Sequence, residues 1–183
     1  HHTLEAKRMK VLVAYETAHT STAEVAEAIA ETLREGGDEA DVARCRDLQS
    51  AEGYDACIIG SPVWAGNWLK PARTFVARNE QLLASRPVAY FHMSGAAGIA
   101  EERPDIVRIM NEALPKYAPS VKPVSIGAFG GVIDYDRYNF VLRMVMKSVV
   151  GRGGGPTSGR HDLRDWDEIR EWTTNVQRVF RET

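Results

Sequence analysis

The chain has 183 residues, 44% of them hydrophobic, enough for one well-filled core and too few for a second full domain. Its 23 Lys and Arg nearly balance 25 Asp and Glu, for a formal net charge of −2. That balance argues against the basic, aromatic-interleaved stripe of a nucleic-acid binder and is weak for the concentrated acidity with which small carriers steer toward basic partners.

The leading HHTLEAKR, His1 to Arg8, reads as an expression-tag remnant, so the domain is expected over residues 9–183. Lys10 to Tyr15 is a short apolar strand that runs through a hydroxyl-rich turn into an amphipathic helix over Ala23 to Glu35. Four more apolar runs, Ala40 to Ala43, Ala56 to Ser61, Val88 to Met93 and Val124 to Phe129, read as strands. Helical periodicity returns at Leu69 to Asn79, Asp105 to Leu114, Tyr138 to Val150 and Trp166 to Phe180. Such alternation argues for a parallel sheet covered on both faces, which in the doubly wound order 2-1-3-4-5 gathers every ligand loop at the strands' carboxyl ends. The glycine-rich patch Gly151 to Pro156 follows a helix and reads as a flexible loop. Cys45 and Cys57 form no C-x-x-C and read as buried, inert thiols, and the five His show no metal-ligand spacing. No apolar run approaches the roughly 20 residues of a membrane span and no signal peptide is visible, so a cytoplasmic location is expected.

The turn after the first strand has the chemistry of an anion site. The first amides of a helix have no internal partner and carry the positive end of its dipole, so a phosphate can sit there without a nearby Lys or Arg. Thr17, Thr20, Ser21 and Thr22 add hydroxyl donors, with Ala18 and His19 between them. The turn holds neither G-x-G-x-x-G nor G-x-x-x-x-G-K-[ST], so a dinucleotide or a triphosphate fits less well than a monophosphate. The alternative is that these hydroxyls serve as helix N-caps, but four of them in six positions exceed what one cap needs.

The spacing Tyr15, Thr17, Thr22, Ala26, followed by apolar Ile29, resembles the signature with which flavodoxins wrap the phosphate of FMN. Two places depart from it: Ala14, where a larger apolar residue is usual, and Thr20, where a small residue is preferred and Thr resists positive φ. The resemblance implies a flavodoxin-like α/β three-layer sandwich with a five-stranded parallel sheet of order 2-1-3-4-5. It also places the loop Pro62, Val63, Trp64, Ala65, Gly66 and Asn67 against the isoalloxazine ring, with Trp64 as the stacking aromatic. A flexible peptide at Ala65 and Gly66 would offer a carbonyl or N–H to flavin N5. The alternative is that Trp64 and Trp68 are ordinary surface or core aromatics. Ser94, Gly95 and Ala96 let backbone groups approach a flat polar ring edge and are the candidates for the pyrimidine side, whereas His92 reads as a satisfied structural residue.

The last third, GAFGGVIDYDRY (Gly127 to Tyr138), NFVLRMVMKSVV, the glycine loop and RDWDEIREW (Arg164 to Trp172), resembles the menaquinone-dependent protoporphyrinogen IX dehydrogenases. That resemblance implies an FMN oxidoreductase acting on a porphyrinogen, with a quinone or a redox protein as electron partner and no catalytic side chain of its own. A flavodoxin-type electron carrier without its own substrate, and a non-redox binding module, are the alternatives that fold alone does not separate. The helix from Tyr138 to Val150 carries Phe140, Val141, Met144, Val145 and Val149 with only a narrow polar stripe through Asn139, Arg143 and Lys147. Core packing is the expected use of so much apolar surface; the alternative is a basic, Met-rich surface that meets an apolar substrate or, peripherally, the inner face of a membrane.

Overall fold

The computed structural model describes residues 7–152 and 154–183, so residues 1–6 of the stretch read as a tag remnant, and Gly153 of the glycine loop, lie outside it. In chain order the elements are β1 (Lys10–Tyr15), α1 (Ser21–Glu35), β2 (Glu39–Arg44), β3 (Ala56–Trp64), β4 (Asn67–Trp68), α2 (Lys70–Arg78), α3 (Glu80–Ala84), β5 (Val88–Ser94), α4 (Arg103–Tyr117), β6 (Ser125–Gly130), β7 (Val132–Asp134), α5 (Phe140–Arg152), β8 (Arg160–Asp162) and α6 (Trp166–Glu182). Five parallel strands lie in the order β2-β1-β3-β5-β6, the expected 2-1-3-4-5 once short β4, which folds back antiparallel on β3, is set apart.

Strand β1, between β2 and β3, forms because Val11, Leu12, Val13 and Ala14 are apolar without interruption and fully buried on both faces. Val11 and Val13 point to the face covered by Val25, Ile29 and Leu33 of α1 and by Ile169, Val176 and Phe180 of α6. Leu12 and Ala14 point to the face covered by Phe75 and Val76 of α2 and by Ile106, Met110 and Leu114 of α4. The periodicity of α1 and α6 therefore reads directly as burial. Helix α6 also has its N-cap, the Asp165 carboxylate accepting from the Glu168 amide at 3.1 Å.

Several boundaries differ from expectation for local reasons. The helix expected over 69–79 stops at Arg78, where the Asn79 side chain turns back to donate to Phe75 O at 2.9 Å and accepts from Ala51 N at 3.1 Å. Helix α4 begins earlier than expected, at Arg103, since Pro104 in its first turn has a fixed φ suited to a helix and no N–H that an intrahelical bond would need. The strand β3 continues through Pro62 to Trp64, so what reads as a loop is the tip of a hairpin with β4. Cys45 and Cys57 are buried and free as expected, and burial pushes the Cys57 thiol up to about 12.

The larger departure lies between β6 and α6. There β7 and β8, joined through α5, pair antiparallel as a two-stranded ribbon too short to leave a period in the sequence, and α5 packs on it around Ile99, Ile133, Tyr135 and Val150. The expectation that the helix at 138–150 buries its apolar surface in the core is overturned, because Phe140, Val141, Met144, Val145 and Val149 are 75%, 69%, 57%, 50% and 48% exposed. A ribbon of two three-residue strands offers too little apolar surface to cover more than one side of a helix. No helix among the described residues is long and apolar enough to cross a membrane.

At Gly60 the middle of the sheet is at its tightest, since a Cβ there would overlap the ring of Phe91 on β5. Gly60→Ala is expected to lower the unfolding free energy by about 1–3 kcal/mol, read from the denaturant midpoint. An unchanged midpoint would mean that Phe91 moves aside freely.

Candidate functional site

Three loops leave the carboxyl ends of β1, β3 and β5, which are consecutive in the sheet. The register pairs Tyr15 with Gly60, Ser61 with His92 and Pro62 with Met93, and Glu16 N donates to Gly60 O at 3.0 Å. All three stretches singled out in the sequence thus meet at one edge of the sheet.

The first loop is anchored by a residue the sequence reading passed over. Glu16 has no exposed surface, and its carboxylate accepts from Arg44 Nε at 3.0 Å, Arg46 Nε at 3.3 Å, Arg46 N at 3.1 Å and Thr17 N at 3.2 Å. Arg44 also donates through Nη2 to Thr17 O at 2.9 Å. Both peptide groups of Thr17 are thereby held, and the chain beyond it is aimed away from the sheet. The available signal was a lone acid at the end of an apolar strand, directly before the hydroxyl run.

Beyond Thr17 the donors are free. The amides of residues 18–23 find no acceptor among the described residues, the first helical bond being Glu24 N to Thr20 O at 3.3 Å. Thr20 occupies the N-cap position at φ −86° yet its side chain caps nothing, so the turn needs no positive φ at this Thr and the N-cap alternative fails. Thr17 Oγ1 is buried with no partner, Thr22 is buried, Ser21 is half-buried, and Ala18, His19 and Thr20 are exposed. A buried hydroxyl left unpaired beside a row of open amides costs stability in isolation and becomes satisfied once an anion enters.

The turn is less free of cations than the sequence suggests. Besides Arg44 and Arg46, Arg164 reaches it from the tail and donates to Ser21 O at 3.2 Å, Glu24 Oε2 at 2.8 Å and Asp162 Oδ2 at 2.7 Å. Each arginine is bound to a carboxylate, so their main effect is to brace the loop. His19, Thr20 and Ser21 line a small cleft whose other wall is Tyr138, Arg137 and Arg160 of the β7–β8 insertion.

In the second loop Ala65 at φ 50° and Gly66 at φ 77° turn β3 back into β4. Ala65 is the only non-glycine at positive φ among the described residues, a conformation that costs about 1–2 kcal/mol and clusters at functional loops. The hairpin separates the two tryptophans. Trp64 pairs with exposed Asn67 and is itself 55% exposed, whereas Trp68 pairs with Val63 and is 1% exposed, edge-on to Tyr90 at 5.2 Å. Tyr117 Oη donates to Asn67 Oδ1 at 3.0 Å and accepts from Trp68 N at 3.0 Å, fixing the hairpin from α4.

In the third loop Ser94 Oγ accepts from Ala96 N at 3.1 Å and Ser94 O from Gly131 N at 3.0 Å. Gly95 lies against Ile133 of β7 closely enough that a Cβ would collide with it, so the insertion supports this loop. His92 just behind it is buried as a structural residue would be, but neither ring nitrogen has a partner, and burial lowers its pKa to about 4.

The flavodoxin-domain family model matches residues 12–159. Protoporphyrinogen IX dehydrogenase (quinone) of Escherichia coli (strain K12) is 26% identical over 174 residues, spanning 92% of this chain and 94% of that protein. The protein of the same description from Leishmania major is 23% identical over 175 residues, spanning 91% of this chain and 74% of its own. Among solved structures, oxidised flavodoxin 2 from Bacillus cereus superposes with a TM-score of 0.61 at 20% identity, covering 93% of this chain and 99% of that one. The last likeness shows the fold.

The two buried ionisable groups behind the loops give acid sensitivity in separate windows. His92 is held neutral, so as pH falls from its ordinary 6.5 toward 4 the unfolded chain takes a proton that the fold refuses, and stability drops. Burial raises the Glu16 pKa, but hydrogen bonds from Arg44, Arg46 and two amides outweigh it and hold the carboxyl below its ordinary 4.5. Its contribution is full above that value and is lost below it. His92→Leu is expected to flatten the upper window alone, and Glu16→Gln to cost about 1–3 kcal/mol at neutral pH while flattening the lower one, both read from denaturant melts across pH. Parallel acid profiles for wild type and His92→Leu would show that the imidazole is not responsible.

Proposed function

Because the chain belongs to the flavodoxin-domain family, we propose that it is an FMN-dependent oxidoreductase that oxidises a porphyrinogen of the protoporphyrinogen IX type and passes the electrons to a quinone. The observation that carries the FMN assignment is the buried, unpaired Thr17 hydroxyl beside the open amides of residues 18–23. A phosphate ester supplies the missing acceptors, and its charge strengthens each bond.

Thr17, Thr20, Ser21 and Thr22, with the amides from Ala18 onward, hold the phosphate. Trp64 offers an indole face not consumed by packing. Ala65 and Gly66 form a turn already in a strained conformation, and Ser94, Gly95 and Ala96 present backbone groups to a polar ring edge. Bound FMN supplies one- and two-electron oxidation and reduction, and the protein's part is to bind, orient and shield it. His92, neutral and buried, does not serve as an acid at neutral pH.

The substrate assignment is supported by the similarity to the quinone-dependent dehydrogenases, which runs through nearly the whole chain, and by the weak net charge of −2, which suits an enzyme better than a steered electron carrier. Steady oxidation of protoporphyrinogen IX with a menaquinone analogue would support it. No turnover by FMN-loaded protein that a ferredoxin reductase nonetheless reduces would favour the carrier instead.

Thr17→Ala is expected to weaken FMN by about 1–2 kcal/mol in a fluorescence-quenching titration, with the FMN-free protein as stable as wild type or slightly more so, because a buried hydroxyl without a partner has been removed. Unchanged affinity would remove Thr17 from the site.

A further inference from the structure

The cleft between the β1–α1 turn and the β7–β8 ribbon is walled on the ribbon side by Val132, Asp134, Arg137, Tyr138 and Arg160. These groups are held in place. Asp134 and Arg160 oppose each other in the antiparallel register. Arg143 of α5 donates to Tyr135 O at 2.9 Å and Tyr138 O at 3.3 Å, which fixes the turn that carries Arg137. Tyr135 and Tyr138 meet edge-on with centroids 5.7 Å apart, so the Tyr138 ring is oriented as well.

Three arginines border this space, and they are not equivalent. Arg164 is committed to Glu24 at 2.8 Å and Asp162 at 2.7 Å. Arg137 makes one ion pair, to Asp134 at 3.3 Å, and most of its guanidinium faces solvent. Arg160 is exposed and has no carboxylate within ion-pair distance among the described residues. Three cations thus stand against three carboxylates, surroundings that accept one added negative charge beside Arg160 more readily than two. The free volume is about 50 Å³, room for a few water-sized groups and not for a ring system. Half-buried Val132 and Tyr138 give that space an apolar flank. A carboxylate on a short aliphatic chain matches all three properties.

We propose that this cleft receives a propionate of the porphyrinogen, its carboxylate on Arg160 and Arg137 and its methylenes against Val132 and Tyr138. The inference rests on the substrate class proposed above and assigns the residues of this chain that recognise it. A guanidinium presents two parallel donors and a fixed charge to a carboxylate, a match that a neutral ester lacks. The flavin phosphate is the other anion expected nearby. It fits this cleft less well, because it brings a second negative charge and because the Thr17 hydroxyl and the open amides of residues 18–23 already suit it. The ribbon that carries Arg160 also backs the Ser94–Ala96 loop through Ile133 against Gly95, so the subsite is built on an element that adjoins two of the three loops.

Fluorescence titration of the flavin-free protein with protoporphyrin IX, which carries the same propionates, and with its dimethyl ester in the same dilute detergent tests this. The acid is expected to bind about tenfold or more tightly than the ester. Arg160→Gln is expected to remove about that difference and to leave ester binding and the thermal melt unchanged. Arg137→Gln is expected to act in the same direction but less, since Asp134 already shares that guanidinium. In the FMN-loaded protein Arg160→Gln is expected to raise KM for protoporphyrinogen IX and keep kcat. Equal affinity for acid and ester, or an acid affinity undiminished in Arg160→Gln, would overturn the subsite even where the porphyrinogen is turned over. Weakened FMN with unchanged porphyrin binding in that variant would overturn it too, by giving Arg160 to the phosphate. Absence of both porphyrin binding and porphyrinogen turnover in the wild type would overturn the substrate reading and the subsite with it.

Discussion

A carboxylate with no exposed surface, at the point where β1 leaves the sheet, organises the turn on which the candidate site depends. An isolated buried charge is costly, and Glu16 is tolerated there only because two arginines and two amides converge on it from the exits of β1 and β2. The convergence holds both peptide groups of Thr17, so the following residues cannot fold back to satisfy their own amides. What results is a turn whose donors are fixed in place and unspent. The paired charges also place the arginines beside this turn without leaving their full charge bare.

The remaining parts of the edge are braced against this turn from outside the sheet. Arg164, 5% exposed, links the first turn of α1 to the β7–β8 ribbon, and the same ribbon meets Gly95 through Ile133. A close backbone approach at Gly130, where a side chain would collide with Leu163, accompanies that double contact. The insertion is therefore a second scaffold for two of the three loops, and its helix is left with a bare apolar side.

Much of this was legible in the sequence, for reasons that differ between elements. Strands such as Val11 to Ala14 declare themselves by unbroken apolarity, and α1 and α6 by a stripe matched to one sheet face. The hydroxyl cluster at Thr17 to Thr22 was visible as a candidate, but whether those groups cap the helix or stand free depends on the path of the turn. That path is set by Arg44 and Arg46, 28 and 30 residues from Glu16, a contact no local pattern contains. Trp64 and Trp68 were equivalent in the sequence until the Ala65–Gly66 turn put them on opposite sides of a hairpin. For α5 the inference from apolar content to burial failed because burial also needs a partner surface, and two three-residue strands do not provide one.

The central claim is that fixed amides and hydroxyls of the β1–α1 turn recognise a phosphate. Calorimetric titration of the flavin-free protein with FMN and then with riboflavin tests it most directly, since the two ligands differ only in that group. The account predicts that FMN binds about a hundredfold or more tightly than riboflavin, the size expected from losing one or two charge-assisted hydrogen bonds, and that inorganic phosphate competes with it. Equal affinity for the two flavins would contradict it.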